Sequence, residues 1–149
     1  MDIPKRKANR LKGYDYSQNG AYFITICTEK RKNLLCDIVG AAAHSVPKPY
    51  GMITEKYIRN IPGLEKYVIM PNHVHMIVLV DDLAGSAQSI STMVRSLKTL
   101  VTKEIGKPIF QRSFYDHVIR NDQDYREIWE YIENNPMKWK LDRFYSTEE

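Results

Sequence analysis

The stretch "MPNHVHMIVLV", Met70–Val80, decides how this chain is read. Side chains alternate across a strand, so Val74, Met76, Val78 and Val80 share one face and His73 and His75 share the other. The apolar row must be packed. The two imidazoles then sit on the opposite side, about 7 Å apart along the strand. Histidine fills a core poorly. Two in register, starting directly after a Pro-Asn turn, read as ligands converging on one ion. The competing explanation is a pair of hydrogen-bonded structural histidines. A lone histidine would be assigned that way; the paired spacing favours a metal.

Working outward, "VIM" before Pro71-Asn72 extends a strand over Tyr67–Met70, so the two segments form a hairpin around that turn. "GAYFITICTEK" (Gly20–Lys30) alternates β-branched and aromatic residues, with Phe23, Thr25 and Cys27 on one side. "CDIVGAAAHSVPKPYGMI" reads as loop. A short helix follows, capped by Thr54 and stopped by Pro62-Gly63. "SISTMVRSLKTLVTKEIG" carries Ile90, Met93, Val94, Leu97, Leu100, Val101 and Ile105 at helical spacing, and Gly106 and Pro108 end it. A short strand is expected over Tyr115–Ile119. The last helix starts at a cap on Asn121 or Asp122 and stops at Asn135-Pro136, with Tyr125, Ile128, Trp129 and Ile132 as its core stripe. This order predicts an α+β fold of ferredoxin-like sandwich type. It is a small antiparallel sheet with helices packed on one face. Residues 1–149 form one domain, with 1–13 as a basic arm.

Composition narrows the function classes. No run of eighteen apolar residues occurs and the N-terminus has no apolar core, so neither a membrane span nor a secretory signal is expected. Cys27 and Cys36 form no CxxC pair and read as reduced thiols of a cytoplasmic protein. The net charge is +4, and Lys5, Arg6, Lys7 and Arg10 crowd into the arm, where they suit phosphates or simply a solvated terminus. Arg95, Lys98 and Lys103 line the outer face of the long helix as candidate phosphate contacts. Arg112 and Arg120 flank the last strand, to contact phosphates or to brace the site, and His117 reads as a brace. Phe114 and Tyr115 fit core packing better than base stacking.

Two histidines do not complete a metal site. The final helix offers Tyr131 and Asn135, stacked one turn apart, with Glu127 one turn earlier. An amide oxygen is a hard, neutral ligand that suits Mg²⁺ or Mn²⁺ beside imidazole. Taken alone, the helix is explained more simply. Tyr131 sits at the core margin and Asn135 caps the end before Pro136.

The two stretches "YVIMPNHVHMIV" and "FQRSFYDHVIRNDQDYREIWEYIENNPMKW", in that order, resemble the REP-associated tyrosine transposases. These belong to the single-tyrosine HUH endonuclease superfamily, with the transposases of the smallest bacterial insertion sequences. The resemblance runs from about Gly20 to about Trp139. It implies that His73 and His75 are metal-binding histidines and that Tyr131 in "EYIENNP" is the nucleophile. It implies Asn135 as third ligand, where the insertion-sequence relatives use Gln. "IVGAAAHSVPKPYG" departs from the family pattern and leaves the DNA path on that side open.

The activity implied is nicking and strand transfer of single-stranded or hairpin DNA, such as palindromic repeat ends, through a covalent 5′-phosphotyrosine. A phenol, with a pKa of roughly 10, both attacks and leaves, so the phosphodiester bond energy is kept for rejoining. A divalent ion at the phosphate neutralises developing charge. Glu127 is a candidate base, or part of a solvated face. A monomer and a homodimer both fit. Three alternatives stand beside this. One is a zinc hydrolase using His73, His75 and a carboxylate, with Asp116 the nearest by type. Another is a nucleic-acid-binding module without chemistry. The third is a domesticated, inactive descendant.

Overall fold

The structure, a computed structural model, describes residues 20–80 and 90–141. Six strands and three α-helices follow in chain order. They are β1 (Gly20–Cys27), β2 (Cys36–Val39), β3 (His44–Pro47), α1 (Pro49–Ile58), β4 (Leu64–Met70), β5 (His73–Val80), α2 (Ile90–Ile105), β6 (Tyr115–Ile119) and α3 (Asp122–Asn134). A 3-10 segment, Pro136–Leu141, continues beyond α3. Four strands form an antiparallel sheet in the order β4-β5-β1-β6, and β2-β3 form a separate hairpin.

Strands β5 and β1 are central, and their register fixes the site. Thr25 lies opposite His75 and Cys27 opposite His73, so these four share a face. On the other face Ile24, Ile26, Val74, Met76 and Val78 pack against Ile58 of α1 and Ile90, Met93, Val94, Leu97 and Val101 of α2. The α+β class and the antiparallel sheet are as expected. Helices on one face only are not. Helix α3 covers the histidine face, where Tyr125, Ile128 and Ile132 pack on Ala21, Ile77 and Ile119. The central strands bury apolar side chains on both sides, so Ile77 and Ala21 need a cover as much as Met76 does. Burying such side chains is worth roughly 1.5–3 kcal/mol each, more than enough to dictate which side α3 takes.

The segment expected as loop holds two strands and the start of a helix. Among the described residues, strands β2 and β3 pair only with each other, with Cys36 opposite Pro47, and their turn uses left-handed Gly40 (φ 77°) and Ala43 (φ 53°). Helix α1 begins at Pro49, not at a Thr54 cap. Proline serves at the first helical position, where its missing N–H costs nothing, and Lys48 precedes it without a side-chain cap. Thr54 sits within the helix and donates its hydroxyl to the Tyr50 carbonyl at 2.8 Å. Gly51 is required there, because a Cβ would lie 1.9 Å from the Leu35 carbonyl oxygen.

Candidate active site

The turn Pro71-Asn72 delivers His73 as the first residue of β5. Both histidines are buried, at 0% and 1% exposure, and their ring centroids are 4.5 Å apart. Each ring is held from behind through Nδ1. The Nδ1 of His73 meets Asn72 Oδ1 at 2.9 Å, and that of His75 meets Thr25 Oγ1 across the strand at 2.8 Å. Rings anchored at Nδ1 present Nε2 to whatever lies beyond, the usual arrangement of a ligating histidine.

Helix α3 supplies the rest. Asn121 caps it, its side chain accepting the Asp124 N–H at 2.8 Å, and Asp122 and Asp124 favour the positive end of the helix dipole. With Ile128 and Ile132 turned into the core, Tyr131 falls beside the histidines. Its ring centroid is 5.2 Å from that of His75 and 6.0 Å from that of Phe23, which it meets edge-on. Tyr131 is nevertheless 42% exposed, so the ring rests on the site while solvent reaches it. Trp139 of the 3-10 segment closes the other end, 6.2 Å from the His73 ring.

Asn135 lies between these two contacts, four residues from each, and is 2% exposed. Its Nδ2 donates to the Tyr131 carbonyl at 3.1 Å, which fixes the amide and turns Oδ1 the other way. That oxygen is buried and makes no hydrogen bond among the described residues. An acceptor buried without a donor costs about 1–3 kcal/mol. A divalent cation is the kind of group that would satisfy it. Two imidazole nitrogens and an amide oxygen form a neutral donor set that suits Mg²⁺ or Mn²⁺ when phosphate oxygens complete the shell.

Asp116, the carboxylate of the hydrolase alternative, does not reach this site. It pairs with Ile24 on β1 and so lies on the opposite face of the sheet. Among the described residues no group of three His, Cys, Asp or Glu side chains could hold a metal. Glu127 is exposed on α3 and accepts from Gln123 Nε2 at 3.3 Å. The sequence reading missed the supporting side chains Thr25, Phe23, Asn72 and Trp139. Strand alternation placed Thr25 and Phe23 on one face, but only the β1–β5 register sets them against the histidines.

No family model matches the chain. It is 31% identical to an uncharacterised protein of Haemophilus influenzae, across 96% of this chain and 94% of that one. It is 29% identical to a REP-associated tyrosine transposase of Escherichia coli K12, across 83% of this chain and 70% of the relative. A solved structure of a REP-associated tyrosine transposase bound to a REP hairpin superimposes with a TM-score of 0.59. The identity is 27%, covering 81% of this chain and 68% of that one. The chain is a homologue of the REP-associated tyrosine transposases.

In this homologue of the REP-associated tyrosine transposases the basic residues scatter around the fold. Arg95, Lys98, Lys103 and Arg112 line one groove of about 410 Å³ with Ser91, Thr99, Thr102 and Phe114. Helix α2 packs on the far side of the sheet, so this groove is not on the histidine face. Lys98 is occupied there. Its Nζ donates to the carbonyls of Gln111 at 2.7 Å and Arg112 at 3.0 Å, and burial lowers its pKa. Its charge braces the chain after α2. His117 also braces, its Nε2 bonding Asp124 Oδ2 at 2.8 Å and tying β6 to the first turn of α3. Arg120 is exposed at that junction, and Tyr115 is 48% exposed, so it is not core. Phe114 is partly buried against the core. Lys5, Arg6, Lys7 and Arg10 lie outside the described residues. Neither cysteine is in a disulfide among the described residues, and burial pushes the Cys36 thiol up to about 11. Among the described residues no helix is long and apolar enough to cross a membrane.

Proposed function

We propose that this protein is a tyrosine transposase that nicks and rejoins single-stranded DNA at hairpin ends. One observation carries the reading. The half-exposed Tyr131 ring rests on His75, one helical turn from the buried, unbonded Oδ1 of Asn135. A packing tyrosine would be buried, and an asparagine that only capped the helix C-terminus through its Nδ2 would leave its oxygen to solvent instead of burying it unbonded. The relatives named as REP-associated tyrosine transposases, one of them bound to a REP hairpin, make DNA of that class the proposed substrate.

Tyr131 attacks the scissile phosphorus through its phenolic oxygen. The P–O3′ bond breaks, and the upstream strand leaves with a free 3′-hydroxyl. The downstream strand stays on Tyr131 as a 5′-phosphotyrosine. A DNA 3′-hydroxyl then attacks the same phosphorus, the phenol leaves, and a phosphodiester is restored. His73, His75 and Asn135 would hold a Mg²⁺ or Mn²⁺ ion, which when bound supplies positive charge to the phosphate oxygens. The packing of Tyr131 against Phe23 and His75 limits its rotamers, so the nucleophile is positioned before substrate arrives.

The test is incubation with a REP-type hairpin carrying a single-stranded foot, followed by a denaturing gel. A slower protein–DNA band is expected, with the adduct on the peptide containing "EIWEYIENNPMK". An adduct on Tyr115 or Tyr125 would refute the choice of nucleophile. Cleavage without any adduct would replace the reading by water-mediated hydrolysis.

A further inference from the structure

We propose that Asn72 is a positioning residue that locks His73 into the tautomer able to bind a metal ion. The proposal rests on the metal reading of the site. It comes from a chain of groups that can hydrogen-bond in only one sense.

The Arg31 carbonyl can only accept. Asn72 Nδ2 donates to it at 3.2 Å, which settles which end of the amide points which way. Oδ1 therefore faces the His73 ring, 2.9 Å from Nδ1. An amide oxygen also only accepts. The ring must supply the hydrogen, so Nδ1 is protonated and Nε2 carries a lone pair. Were the amide turned over, its oxygen would oppose the Arg31 carbonyl and its NH₂ would face the ring. The ring proton would then sit on Nε2 and point at the cation.

The backbone around Asn72 is built to keep this orientation. Asn72 is fully buried. Its own carbonyl accepts the Thr28 N–H at 3.0 Å, while the Thr28 hydroxyl donates to the Lys32 carbonyl at 2.7 Å and so braces the same loop. Arg31 returns its N–H to the Thr28 carbonyl at 3.0 Å. Lys30 and Arg31 both hold φ at 54°, a left-handed conformation that side-chain-bearing residues seldom adopt. The loop after β1 is thus held in an unfavourable shape that sets the Arg31 carbonyl against Asn72. At His75 the Nδ1 contact is to the Thr25 hydroxyl, which can donate or accept, so that contact by itself does not set the tautomer.

The experiment is long-range nitrogen-15 NMR of the metal-free wild type, Asn72→Ala and Asn72→Asp, paired with calorimetric titration of each with Mn²⁺. The wild type should show His73 protonated on Nδ1. Asn72→Ala should populate the Nε2–H form and bind Mn²⁺ about 10–100-fold more weakly. Asn72→Asp keeps an acceptor at the ring, with its second oxygen protonated so that it donates to the Arg31 carbonyl in place of Nδ2, and it should retain Nδ1–H and bind Mn²⁺ close to the wild-type affinity. If the alanine variant fails to fold, the wild type and the aspartate variant still decide the matter. A wild type with the His73 proton on Nε2 overturns the proposal. So does an alanine variant that keeps both tautomer and affinity, or an aspartate variant that loses both. A wild type that holds Nδ1–H yet takes up no Mn²⁺ overturns the metal reading beneath it.

Discussion

The chemistry proposed for Tyr131 rests on a single oxygen, so the variants that matter are small. Tyr131→Phe keeps the ring against His75 and Phe23 and removes only an oxygen from a half-exposed position. Tm should move by no more than about 2 °C, since volume-conserving swaps perturb packing little. Mn²⁺ and hairpin binding should persist while the covalent adduct on a denaturing gel disappears. His73→Ala and His75→Ala test a different atom set. Each removes one nitrogen donor; His73→Ala leaves the rings that hold Tyr131 intact, whereas His75→Ala also removes the ring on which Tyr131 rests. Calorimetry should show weakened Mn²⁺ binding, and cleavage should be lost, as it should be for the wild type in excess chelator. Full cleavage by the double alanine variant would sink the metal assignment.

At the scale of elements, two lysines act as structural ties in a way that their charge alone would not reveal. Lys66 on β4 pairs with Glu133 and lies 4.2 Å from the centre of the Trp129 ring, while Tyr125 Oη donates to Glu65 at 2.5 Å. These contacts fasten α3, and with it Tyr131 and Asn135, to the edge of the sheet. Lys98 fastens the segment after α2 in the same manner. Lys98→Ala strands two carbonyls and should cost about 1–2 kcal/mol, seen as a fall in Tm of several degrees. Arg95→Ala, in the same groove but exposed, should leave Tm unchanged and weaken DNA binding instead. Equal Tm losses for the two variants would mean that Lys98 is not the brace.

For the whole molecule, the histidine face and the basic groove lie on opposite sides of the sheet, so a folded DNA would have to pass around an edge to touch both. The arm carrying Lys5, Arg6, Lys7 and Arg10 is a second source of positive charge. Deleting residues 1–12 should weaken hairpin binding and flatten the dependence of log K on log salt, by about 0.7 for each single-strand phosphate that the arm neutralises. Fluorescence anisotropy across a salt series measures both. An unchanged slope would make the arm a bystander.

Periodicity in the amino-acid sequence determined much of this protein. A period of two put His73 and His75 on one face, and a period of 3.6 stacked Tyr131 over Asn135. Both are local properties of the backbone, so they need no tertiary information. The strands β1, β5 and β6 and the long helix α2 were legible for the same reason. The hairpin β2-β3 was not. Its strands pair with each other at the surface, with β3 exposed throughout, so no buried face imposes an alternation. The start of α1 was hidden because Pro49 opens it without a polar cap. The side of the sheet taken by α3 was also beyond the sequence. Ile77 and Leu79 belong to an unbroken apolar run, and such a run does not say which residues meet which helix. Only the tertiary structure brought α3 across the histidines, set Asn135 between Tyr131 and Trp139, and turned the Asn72 amide toward His73. The histidines and α3 lie far apart in the chain, as do Asn72 and the Arg31 carbonyl that orients its amide, so long-range packing, not local preference, selects how they meet.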